Sequence, residues 1–121
     1  MDRTRNIVFF KNYFNEFFSI QKENVKEKID YVLFIISTVE RIPRKFFSNL
    51  DGEDGLFEIR IEFESNIYRI FCCFDEGNLI ILFNGFQKKT QKTPKQEIEK
   101  AKRIMNEYFN LKEKNNELNR K

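Results

Sequence analysis

No histidine and no tryptophan occur in the 121 residues. Without imidazole there is no Ser/His/Asp triad, no Cys/His dyad, no imidazole pair for phosphodiester cleavage and no metal site that needs an imidazole ligand. Any catalysis has to run on Glu, Asp, Lys, Arg, Tyr or Cys. Cysteine is scarce as well: Cys72 and Cys73 are chain neighbours, so they cannot staple distant segments, and they lack the two-residue gap of a zinc or redox pair. Reduced thiols are expected, with no metal and no cofactor. Long apolar runs are also missing. The patch from Ile7 to Phe10 with Tyr13, interrupted by Lys11 and Asn12, is far too short for a signal peptide or a spanning helix, so a cytoplasmic protein with no membrane partner is expected.

Phenylalanine is abundant. Fifteen Phe and four Tyr in a chain that is 40% apolar supply the bulk for one core. A chain of this length buries roughly two-thirds of its unfolded surface, which is one domain's worth. Charge is unevenly placed. Residues 1–84 hold 11 basic and 14 acidic side chains, whereas residues 85–121 hold 11 basic and 5 acidic ones. Lys88, Lys89, Lys92 and Lys95 follow one another with no acid between Gly85 and Gln96. Such a stretch suits a polyanion, and equally serves as a solvated surface.

Periodicity gives an α+β order. A short β-type run covers residues 6–10, and Phe10, Phe14, Phe17 and Phe18 then recur at helical spacing to about Gln21. Val25, Ile29, Val32, Ile36 and Val39 mark a second amphipathic helix that Ile42-Pro43 ends. The two helices read as a hairpin with a core-facing aromatic stripe. A loop from Arg44 to Gly55 precedes three strands. Phe57, Ile59, Ile61 and Phe63 alternate with Glu58, Arg60, Glu62 and Glu64, Ser65-Asn66 reads as a turn into residues 67–75, and Glu76-Gly77 as a turn into residues 78–83. The last of these strands is apolar throughout and belongs at or near the sheet centre. Thr93 and Pro94 open a third helix whose stripe is Ile98, Ala101, Ile104, Met105, Tyr108 and Phe109. One domain, 1–111, is expected, with residues 112–121 a polar, flexible tail.

With two-residue turns, Phe63 pairs with Tyr68, Glu62 with Arg69, and Arg69 in turn with Asn84. One face then collects Leu79, Ile81 and Phe83 with the apolar residues of the other two strands. The second collects Glu58, Arg60, Glu62, Arg69, Phe71, Cys73, Ile80, Leu82 and Asn84. Glu62 and Arg69 read there as a cross-strand ion pair. Arg60 and Arg69, beside Lys88 and Lys89, repel one another unless an anion joins them, so a phosphate site is expected on that face.

Leu56-Phe57-Glu58-Ile59-Arg60-Ile61, then Tyr68-Arg69-Ile70-Phe71, then Phe86-Gln87-Lys88-Lys89-Thr90-Gln91-Lys92-Thr93-Pro94 with Glu97-Ile98 and Ala101 resembles the phage-derived, HigB-like branch of the RelE/ParE toxin superfamily. The resemblance spans about Ile7 to Phe109. It implies a RelE-like α+β fold, a helical hairpin on a twisted antiparallel sheet with a C-terminal helix, acting as the toxin of a type II toxin–antitoxin pair. It further implies a metal-independent endoribonuclease that cuts message on the ribosome, with Arg60, Arg69, Lys88, Lys89 and Glu62 in the catalytic site and Thr90, Lys92 and Lys95 on the RNA. Either lysine at 88 or 89 could serve as the acid, and either Glu58 or Glu62 as the base. The partners implied are a helix-turn-helix antitoxin, the ribosome and mRNA. ParE-like members of the superfamily inhibit DNA gyrase by binding instead, and a non-toxic regulatory relative is the third alternative. Tyr108 reads as core rather than as a base-stacking ring, and Cys73 as a bystander.

Overall fold

A computed structural model describes residues 4–89 and 92–119. The elements run β1 (Asn6–Phe9), α1 (Tyr13–Phe18), α2 (Glu23–Thr38), β2 (Phe47–Asn49), β3 (Phe57–Phe63), β4 (Asn66–Asp75), β5 (Leu79–Lys88) and α3 (Lys95–Asn119). The five strands form one sheet in the order β1-β5-β4-β3-β2. The fold is α+β as expected, but the sheet is mixed rather than antiparallel, because β1 lies parallel to β5. The short edge strand β2 falls inside the segment read as a loop.

Both faces of the sheet are covered. On one side Phe14, Phe17, Val25, Ile29, Val32 and Ile36 of α1 and α2 pack on Ile59, Ile61, Tyr68, Ile70, Cys72, Ile80 and Leu82. On the other, Ala101 and Ile104 of α3 pack on Leu56, Phe71, Cys73, Ile81 and Phe83. The apolar run of β5 is explained by this double burial. α2 ends without a glycine, and the Arg5 guanidinium donates instead to the carbonyls of Ile36 (3.0 Å) and Val39 (2.7 Å), which the helix leaves without partners.

Two turns depart from the sequence reading. The β3–β4 turn sits at Glu64-Ser65, with φ of 49° and 67°, one residue earlier than Ser65-Asn66. Two left-handed residues in a row match the strand twist, and the shift moves the register by two, so the faces survive. Ile61 therefore pairs with Tyr68, and Arg60, not Glu62, stands opposite Arg69.

The β4–β5 loop has three residues, Glu76 to Asn78, so Asp75 pairs with Leu79 and Cys72 with Leu82. That odd residue reverses the faces: Leu79, Ile81 and Phe83 point to α3, and Ile80 and Leu82 to α1 and α2.

The third helix also runs on past Leu111 to Asn119. Lys112 anchors it to the β4–β5 loop, at 2.7 Å from Asp75 and 3.0 Å from Glu76, and Asp75 accepts a second bond of 2.6 Å from Tyr108. Burial by itself would raise the Asp75 carboxyl, but these donated bonds outweigh it and hold it below the ordinary carboxylate value.

Candidate functional site

Arg60 and Arg69 are directly opposed across β3 and β4. Like charges in that position are unfavourable unless something neutralises them. Each has one carboxylate on its own face. Glu58, only 7% exposed, bonds the Arg69 guanidinium, and Glu62, well exposed, lies 3.6 Å from Arg60. The expected Glu62–Arg69 pair is therefore replaced by two pairs, because the register carries Glu62 opposite Ile67.

The third cation arrives by way of a bulge. Pairing steps from Cys72–Leu82 to Ile70–Gly85, so Phe83 and Asn84 together stand opposite Phe71. Beyond it Phe86 faces Arg69 and Lys88 faces Ile67, which brings Lys88 to the arginine side. The Lys88 ammonium is pushed below its ordinary pKa, first by burial and then by Arg69, with Arg60 adding and Glu58 opposing. Three cations thus share one small region with a single buried carboxylate. Glu58 Oε2, Arg60 Nε and Arg69 Nε are buried there with no hydrogen-bond partner among protein atoms. Such a region attracts a group that brings negative charge and several acceptor oxygens, as a phosphate does.

Lys89 does not join the three. It lines a separate cavity between α1, the end of β5 and α3, together with Tyr13, Asn84 and Phe86. Lys92 and Lys95 are exposed on the approach to α3 and in its first turn, and Thr90 lies outside the described residues. Arg60 additionally borders a groove with Lys28, Tyr31, Lys45 and Phe46. Tyr108 is committed to structure: its hydroxyl donates to Asp75, its ring sits edge-on to Phe10 at 5.3 Å, and its hydroxyl pKa is pushed up to about 12 by burial and by Asp75. Both cysteines are buried free thiols. Burial raises Cys72 well above the ordinary thiol value and Cys73 to about 12, so neither is a nucleophile near neutral pH.

One contributor is missing from the sequence-based site and another changes role. Glu58, read as a candidate base, is delivered to Arg69 by the true register instead. Asn84, 2% exposed, is turned toward α3 by the bulge, where its amide nitrogen donates to the Glu97 carbonyl at 3.3 Å. No period in the sequence announces that bulge.

Helices on both faces of a five-stranded mixed sheet, with a cationic site where its three long strands meet, define a small α+β protein of RelE-like build. The chain belongs to the family described as Phage derived protein Gp49-like (DUF891), whose model matches residues 16–106, and that family lies in the RelE/ParE-like toxin superfamily. No curated protein matches the chain. Among the described residues no helix is long and apolar enough to cross a membrane.

Proposed function

We propose that the chain is the toxin of a type II toxin–antitoxin pair, of the HigB-like branch, and that it cleaves message held in the ribosome. The observation that carries this reading is the gathering of Arg60, Arg69 and Lys88 around one buried carboxylate. In the reaction the RNA 2′-oxygen attacks the adjacent phosphorus, the bond to the 5′-oxygen breaks, and a 2′,3′-cyclic phosphate and a free 5′-hydroxyl result. Arg60 and Arg69 hold the non-bridging oxygens, where charge grows in the transition state. Lys88, its pKa lowered, gives a proton to the departing 5′-oxygen more readily than an ordinary lysine. Glu58 is taken by Arg69, which leaves exposed Glu62 as the carboxylate that accepts the 2′-proton. Thr90, Lys92 and Lys95 carry the flanking RNA, and Lys89 holds a neighbouring phosphate rather than the reacting one. A cognate antitoxin follows from the toxin family, and a helix-turn-helix protein is the form we infer for it.

Primer extension on a reporter message translated with the protein tests the reading. Wild type should leave new message ends, and the Arg60→Ala, Lys88→Ala double variant should reduce their rate of appearance by about a hundredfold or more. Stalled synthesis over an intact message would rule cleavage out, and trapping of cleaved plasmid in a gyrase assay would point to the gyrase-binding alternative.

A further inference from the structure

The charges of the phosphate site can be counted. Arg60, Arg69 and Lys88 bring three positive charges and Glu58 and Glu62 two negative ones, so among the described residues the site carries one net positive charge. A phosphate inside a strand, esterified on both sides, carries one negative charge. A phosphate at a strand end carries nearly two once the pH is above its second pKa of about 6. The site therefore balances the internal phosphate and falls one charge short of the terminal one.

The two carboxylates contribute unequally to that balance. The Glu62 side chain is 61% exposed, so water and salt screen it, and in the cleavage reading it gives up its charge by taking the 2′-proton. The Glu58 side chain is 9% exposed and that of Arg69 13%, so little water lies between this carboxylate and an anion on Arg69. A guanidinium has five N–H groups, and the bond to Glu58 takes one. Arg69 can thus hold an anion while Glu58 stays bonded beside it.

We propose that Glu58 sets which phosphate the site accepts, as a fixed counter-charge that admits an internal phosphodiester and turns away a terminal phosphomonoester. The inference deepens the reading above and rests on its anion site.

The test compares dimethyl phosphate, a monoanion, with methyl phosphate, a dianion at about pH 8. Urea unfolding in each salt, at matched ionic strength, gives a dissociation constant from the stabilisation that the anion confers. Wild type should bind dimethyl phosphate the more tightly. Glu58→Gln, its fold checked by circular dichroism, should move the ratio of the two constants about tenfold toward methyl phosphate. Glu62→Gln should move it by about threefold or less. Glu58→Asp keeps the charge and should keep the wild-type ratio. Tighter binding of methyl phosphate by wild type, or an unmoved ratio in Glu58→Gln, would overturn the role of Glu58 and leave the cleavage reading to stand on primer extension. Binding of neither anion by any of these proteins would overturn it too. If Glu58→Gln does not fold, the preference of wild type decides alone. The expected ratios in a protein that leaves message intact would uphold the charge selection and defeat cleavage.

Discussion

Glu58→Gln changes a charge and almost nothing else, and two consequences of opposite sign follow. Glu58 is 7% exposed, and the side chain of its partner Arg69 is 13% exposed. Removing one member of a buried ion pair costs about 3–5 kcal/mol when the other is left uncompensated. The glutamine oxygen can still accept from the guanidinium, which reduces the expected loss to about 2–3 kcal/mol. Arg69 also stands opposite Arg60 and acts on Lys88, so among the described ion pairs the variant leaves these cations the exposed Glu62, 3.6 Å from Arg60. The fold is weakened while the hold on an anion is strengthened. Urea unfolding of wild type, Glu58→Gln, Arg69→Gln and the double variant, in chloride and again in sodium phosphate at matched ionic strength, reads both effects. The double variant should lose about 2 kcal/mol less than the sum of the singles, as expected of two groups in contact. Phosphate should restore Glu58→Gln more than it stabilises wild type, and should do least for the two proteins lacking Arg69. Additive losses would show that the pair is not coupled, and an equal phosphate effect on all four proteins would refute the anion site.

Two further outcomes concern how the site is held. Asp75→Asn breaks the tie between α3 and the β4–β5 loop and should cost about 2 kcal/mol at pH 7. The Asp75 pKa is depressed in the folded state, so its stabilisation is present above the ordinary carboxylate value of about 4 and disappears as pH falls through the folded value. Urea midpoints of the two proteins should converge toward pH 2, and a gap that persists there would contradict the assignment. Tyr108 runs the other way: its raised pKa gives stability that is full below about 10 and lost as pH rises through about 12. Gly85→Ala drives a methyl into the Phe17 ring and should cost about 1–3 kcal/mol, recovered in part by Phe17→Leu. Equal unfolding midpoints for wild type and Gly85→Ala would mean that α1 is not packed as tightly on β5 as described.

The sequence is most readable where one residue's neighbours decide its fate. The period of Val25, Ile29, Val32 and Ile36 defines α2, and the alternation of β3 separates Ile59 and Ile61 from Glu58 and Arg60 without knowledge of any partner. Long-range pairing is another matter. β2 is three residues long, and β1 joins β5 in parallel across seventy residues of chain, so neither leaves a local signature. The β4–β5 loop is worse than silent, because Asp75, Gly77 and Asn78 are all good turn residues and two-residue and three-residue loops fit them equally. Left-handed Glu76, with φ of 46°, is not a residue that announces such a conformation.

That ambiguity explains a curious feature of the cation site. A two-residue loop and a straight β5 would put Lys88 on the face of Arg69. The three-residue loop reverses every residue of β5, and by itself would turn Lys88 away and bring Lys89 in its place. The extra residue at Phe83-Asn84 reverses the strand a second time, so the half before it stays inverted, with Ile81 and Phe83 under α3, while Lys88 returns to Arg69. Two odd insertions cancel for the lysine and not for the core. The bulge therefore does more than bend a strand. It lets one strand present an apolar face to α3 along its first half and a cation to two opposed arginines at its end. In the same step it deposits Asn84 where its amide meets α3, which a strand of unbroken alternation could not do.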